Sequence, residues 1–166
     1  MKGMTLTEVH RGNPLAVVEH TATIHVWPFE RACDDELTIL VQGKWADYQI
    51  SFIWTDDVEA LHLSCAFKLK VPERSNAEIG HLIPMINAQM WGGHFEFWPT
   101  EELIVFRHTL VLSGGVQASG RQCEVLFSAA VDACEQYYSA FEFVVCAGAG
   151  AREALEAAMF ETAGEA

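Results

Sequence analysis

Three side chains on one predicted hairpin have the types that exchange protons: His94, Glu96 and Arg107. The stretches His94–Trp98 and Leu103–Leu112 alternate in polarity, and Pro99-Thr100-Glu101-Glu102 between them reads as a turn. Successive strand side chains point to opposite faces. Pairing Trp98 with Leu103 therefore gathers His94, Glu96, Trp98, Leu103, Val105 and Arg107 on one face, and Phe95, Phe97, Ile104 and Phe106 on the other. A carboxylate beside an imidazole and a guanidinium can act in acid–base chemistry. No nucleophile accompanies them, and opposite charges facing each other across strands commonly pair. The expectation is a Glu96–Arg107 pair and no catalytic residue. The alternative is a small-molecule-binding sensor or weak enzyme with a pocket near His94, Glu96 and Arg107.

Other constellations are weaker. Gly148-Ala149-Gly150 follows an apolar run and imitates a dinucleotide-binding turn, but Glu153 stands at the third glycine position. Only 16 residues follow Gly150, too few for the rest of that motif. A glycine break between two helices is expected, and no cofactor. His62 and Cys65 point to opposite strand faces, and no HxxxH or HExxH exists, so no metal site is expected. Five cysteines, at 33, 65, 123, 134 and 146, form no CxxC pair. Their odd number favours reduced, mostly buried thiols in a cytoplasmic protein.

The elements that position these residues follow from punctuation and period. Residues 1–12 read as a weakly ordered lead-in, ahead of a single domain over 13–166. Asn13-Pro14 reads as a helix start, with Leu15, Val18, Ala22 and His25 at helical spacing. Three strands follow: Glu36–Val41, Tyr48–Trp54 and Leu61–Leu69. Pairing Trp54 with Leu61 brings Phe52 to Leu63 and Ile50 to Cys65, all on one face. Ser75-Asn76-Ala77-Glu78 reads as a capping box. It opens a helix that carries Ile79, Leu82, Ile83, Ile86 and Met90, kinks at Pro84 and ends at Gly92-Gly93. After the hairpin, a long helix starts near Ser119. Its apolar stripe includes Cys123, Leu126, Cys134, Tyr137 and Phe141, and Glu124, Ser128, Asp132, Glu135 and Glu142 lie opposite. A short helix, Arg152–Thr162, closes the chain. The fold class expected is α+β: a largely antiparallel sheet with helices on one side, in the order α-β-β-β-α-β-β-α(-α).

Composition narrows the function. Hydrophobic residues make up 51% and charged residues 20%, which suits a folded globule. Ten Lys+Arg against 23 Asp+Glu give a net charge of −13. Such a chain repels polyanions, so neither nucleic acid nor an anionic membrane is an expected partner. No signal peptide and no transmembrane run are read from the sequence. The mixed hairpin face, with Trp98, Leu103 and Val105 among charges, is the expected interaction surface. It suits a homodimer or a protein or peptide partner, unless another element of the chain covers it.

Short motifs in a shared order carry a resemblance. They are Gly43-x-Trp45-x-x-Tyr48, the run from Ile86-Asn87 to Trp91-Gly92-Gly93-His94-Phe95, Phe106-Arg107-His108, Gln122-Cys123-Glu124 and Tyr137-Tyr138-Ser139-Ala140-Phe141. From Asn13 to Ala166 the chain resembles the YbjN domain family, described as bacterial sensory transduction regulators. That family pattern usually has proline where this chain has Ser139, so the helix there is expected to run on. The resemblance implies a type III secretion chaperone-like fold, a homodimer, and a cytoplasmic, non-enzymatic regulatory or chaperone-like role. It transfers no catalytic residues.

Overall fold

The computed structural model describes residues 12–164. Apart from Gly12, the lead-in read over residues 1–12 lies outside the described residues. The described residues form six strands and four α-helices. The strands are β1 (Phe29–Cys33), β2 (Glu36–Gln42), β3 (Asp47–Thr55), β4 (Ala60–Ala66), β5 (His94–Trp98) and β6 (Leu103–Val111). They lie side by side in the order β1-β2-β3-β4-β6-β5, each antiparallel to its neighbours. The α+β class and the element order expected from sequence hold, with one further strand, β1, ahead of the three read before the second helix.

The register explains the burial. Trp54 faces Leu61, Phe52 faces Leu63 and Ile50 faces Cys65, as the alternation requires. Leu37, Ile39, Ile50, Phe52, Leu61, Leu63, Cys65, Phe95, Ile104 and Phe106 are at most 1% exposed and share one sheet face. Burying an aliphatic or aromatic side chain of this size contributes roughly 1.5–3 kcal/mol. Helices α1 (Leu15–Ile24), α2 (Asn76–Asn87) and α3 (Gly120–Ala147) cover this face, and α4 (Ala151–Ala163) packs on α2 and α3. The other face carries cross-strand rows such as Thr38, Ser51, Ser64, Arg107 and His94.

Helix α1 starts where the Asn13 side chain accepts the Leu15 N–H at 2.9 Å. Leu15, Val18 and Ala22 are buried, but His25 lies past the helix end, exposed and 2.8 Å from Glu124. Helix α3 begins with a capping box between Ser119 and Gln122 and runs unbroken through Ser139. It ends at Gly148, whose φ of 67° suits glycine.

Two local expectations are corrected. The Ser75 capping box does not form, because Ser75 belongs to a 3-10 turn and its side chain caps nothing. Glu78 instead accepts the Ala151 N–H at 2.7 Å and caps α4. Helix α2 carries Pro84 inside it but ends at Asn87, ahead of Gly92-Gly93.

Candidate functional site

Asn87 is the last residue of α2, and its carboxamide serves the next strand. Its Oδ1 accepts the Phe95 N–H at 2.8 Å and its Nδ2 donates to the Phe95 carbonyl at 3.1 Å. The outward backbone groups of Phe95 on edge strand β5 are thereby occupied. Gly92 and Gly93 fit the chain between helix and strand. Gly93 has φ 74°, and a side chain there would collide with the Phe106 ring. A Cβ on Gly92 would lie 2.8 Å from Nε2 of His108. Burial lowers the pKa of His108, and nearby His94 adds to the shift. At the Trp91-Gly92-Gly93 break the two glycines thus serve close packing of the chain against β6.

The hairpin brings the six predicted residues to one sheet face. His94 pairs with Arg107, Glu96 with Val105 and Trp98 with Leu103. Glu96 is the hub. It accepts from His94 Nε2 at 2.7 Å, from Trp98 Nε1 at 2.9 Å and from Arg107 at 3.2 Å. Burial alone pushes the Glu96 carboxyl up. Hydrogen bonds from His94 and Trp98, with the Arg107 charge, outweigh that and hold its pKa below the ordinary value. A carboxylate so saturated holds a surface together and has little capacity left to take a proton.

The side chains split by exposure. Trp98 is 39% exposed and Leu103 is half-buried. Val105 is only 2% exposed, seated between Ala66 and Glu96. Its expected place in a contact surface is corrected: its own chain already covers it. His94, Glu96 and Arg107 line neither the large groove beside α3 nor the cavity beside Met90. Among the described residues no three His, Cys, Asp or Glu side chains could hold a metal ion. The five cysteines are free; Cys65, Cys123 and Cys134 are buried, and Cys33 and Cys146 are exposed.

Sequence reasoning set Trp91 at a helix stop without its exposure, and its side chain is fully exposed. The available signal was an indole set directly before two glycines, past the last turn of an amphipathic helix. It also missed the role of Glu135, assigned to a solvent stripe. Glu135 accepts the Lys44 N–H at 3.0 Å and ties the β2–β3 turn to α3. Burial, with the Glu135 carboxylate beside it, raises the pKa of Tyr48 in that corner.

No described helix is long and apolar enough to cross a membrane. No curated protein matches the chain. A family model, YbjN, "Putative bacterial sensory transduction regulator", matches residues 14–143. That span runs from the start of α1 through the Gly43–Tyr48 corner and the Glu96 hairpin into the last turns of α3. All six strands, α1, α2 and most of α3 thus fall within the match, with α4 beyond it, and the chain belongs to the YbjN family.

Proposed function

We propose that this chain is a non-catalytic regulatory or chaperone-like module of the bacterial cytoplasm. Residues 13–166 act as one unit of type III secretion chaperone-like fold. It forms a homodimer through the outer face of the β5–β6 hairpin and works by binding another protein or peptide. The observation that carries the reading is the uncovered sheet face. A solvated antiparallel face is ordinarily polar. Here Leu40, Ile53, Trp98 and Val111 are each at least 38% exposed on it, alongside the Glu96 cluster. The family's regulatory description agrees with a role in contact. The face is favoured over the edge because Asn87 occupies Phe95, so another strand cannot add along β5 there. The enzyme alternative loses support, since Glu96 is saturated by donors and the three polar side chains lie on an open sheet.

Light scattering tests the reading. The wild-type chain should show twice its monomer mass at micromolar concentration, with a specific dimer burying roughly 1,200–2,000 Å². Trp98→Glu with Leu103→Glu should give a monomer with an unchanged far-UV circular dichroism spectrum. A wild-type monomer at the highest concentration reached, or a double variant that still dimerises, would refute it.

A further inference from the structure

At the far end of the sheet from the hairpin, about 760 Å³ of half-open space lies between α3, the corner after α1, and the ends of β2 and β3. Its apolar lining includes Trp27, Leu40, Val41, Tyr48, Phe127 and Val131. Two features hold the walls in place. The indole of Trp27 stacks on Phe127 with ring centroids 4.1 Å apart. The β2–β3 turn is tied to α3 through Glu135 and the Lys44 N–H. Gly43 makes that close approach possible, because a side chain there would meet Tyr48, Glu135 and the Ala46 carbonyl. Walls held in this way need no further ordering of their own when a ligand binds.

The corner that presents Trp27 is strained. Val26 has φ 57°, a region β-branched residues rarely adopt, and it occupies the position after α1 where glycine is usual. The strain persists because Trp27 is held on both sides, its N–H donating to the Ala22 carbonyl at 2.9 Å and its ring between His25 and Phe127. A strained turn that aims an aromatic ring into a groove points to a binding use.

Charge identifies the occupant. Asp47 and Asp132 stand on the rim, both exposed, against the single cation Lys68. Elsewhere Arg31, Arg107 and Arg121 are each paired with a carboxylate. The molecule as a whole carries −13. An anionic ligand is repelled from this site, and a cationic one with an apolar anchor is drawn to it. Gln42, Gln49 and Ser128, also in the lining, offer donors and acceptors to a peptide backbone. We propose that this groove binds a short peptide segment in which aliphatic side chains are flanked by lysine or arginine. The proposal rests on the reading of the chain as a protein-binding module and names the partner's chemistry. It uses none of the hairpin residues, so its failure and that of the dimer are told apart.

Fluorescence polarisation tests it with a short labelled peptide of alternating lysine and leucine. A glutamate–leucine counterpart and a lysine–serine counterpart serve as comparisons. The lysine–leucine peptide should bind at least about tenfold more tightly than either. Asp47→Asn with Asp132→Asn should weaken it by about tenfold or more. Ser128→Trp, at an exposed α3 position in the lining, should block it while the far-UV spectrum stays unchanged. Asp56→Asn with Asp57→Asn removes the same charge at the other end of β3, from an exposed turn. That pair should change affinity by less than about twofold. No binding, equal weakening by the two aspartate pairs, or a Ser128→Trp variant that binds like wild type would each overturn the proposal.

Discussion

Glu96 shows what a single side chain does for the hairpin face. Its two oxygens receive an imidazole, an indole N–H and a guanidinium, so it locks the rotamers of His94, Trp98 and Arg107 together. The side chain is 28% exposed, and its pKa is held below the usual value of 4.5. A carboxyl depressed in the folded state adds stability above its unfolded pKa, and that stability is lost as pH falls through the folded pKa. Glu96→Gln should therefore lower the melting temperature at neutral pH, by the equivalent of about 1 kcal/mol for a partly exposed cluster. The gap between variant and wild type should close on acidification below the ordinary carboxylate range. Thermal melts from neutral to acid pH check this, and a gap that stays constant would mean that charge is not what Glu96 contributes. The same-face placement of these side chains was legible, because strand period fixes it. The burial of Val105 was not, since it depends on β4 lying against β6 across a long stretch of chain.

At the scale of elements, β5 depends on α2. Phe95 is 1% exposed, and its outward N–H and C=O find their partners only in the Asn87 carboxamide among the described residues. Asn87→Ala leaves both groups unpaired at a sheet edge and should destabilise the fold by roughly 1–3 kcal/mol. Asn87→Asp keeps an acceptor for the N–H but sets a carboxylate oxygen against the Phe95 carbonyl, so its loss should be at least half as large. Urea unfolding of the two variants checks the order, and an Asp variant as stable as wild type would deny the donor half of the contact. Most elements could be read because their apolar period is long and their ends are punctuated. β1 could not: five residues, Phe-Glu-Arg-Ala-Cys, none of them fully buried, form an edge strand whose apolar signal is half a strand's worth. The Ser75 capping box failed for a related reason. Local pattern proposed it, but Glu78 lies close to the start of α4, and the uncapped helix end there won the carboxylate. The groove beside Trp27 was invisible for want of any local signature, being built from five separate stretches of chain.

At the scale of the whole molecule, the net charge of −13 acts on both proposed associations, with opposite sign. Two copies of the same acidic chain repel, and only close packing of Trp98, Leu103 and their neighbours offsets the repulsion. Salt shortens the Debye length from about 30 Å at 0.01 M to about 10 Å at 0.1 M, which screens that repulsion. Dimerisation should therefore tighten several-fold as salt rises over that range, measured by sedimentation equilibrium. The lysine–leucine peptide is drawn to the rim of the groove by the same charge, so its affinity should fall several-fold over the same range. A dimer that loosens with salt would require attraction between unlike charges across the interface. Arg107 would then have to exchange Glu96 for a carboxylate of the second copy, making the ion-pair cluster the centre of the contact and the exposed indole its rim.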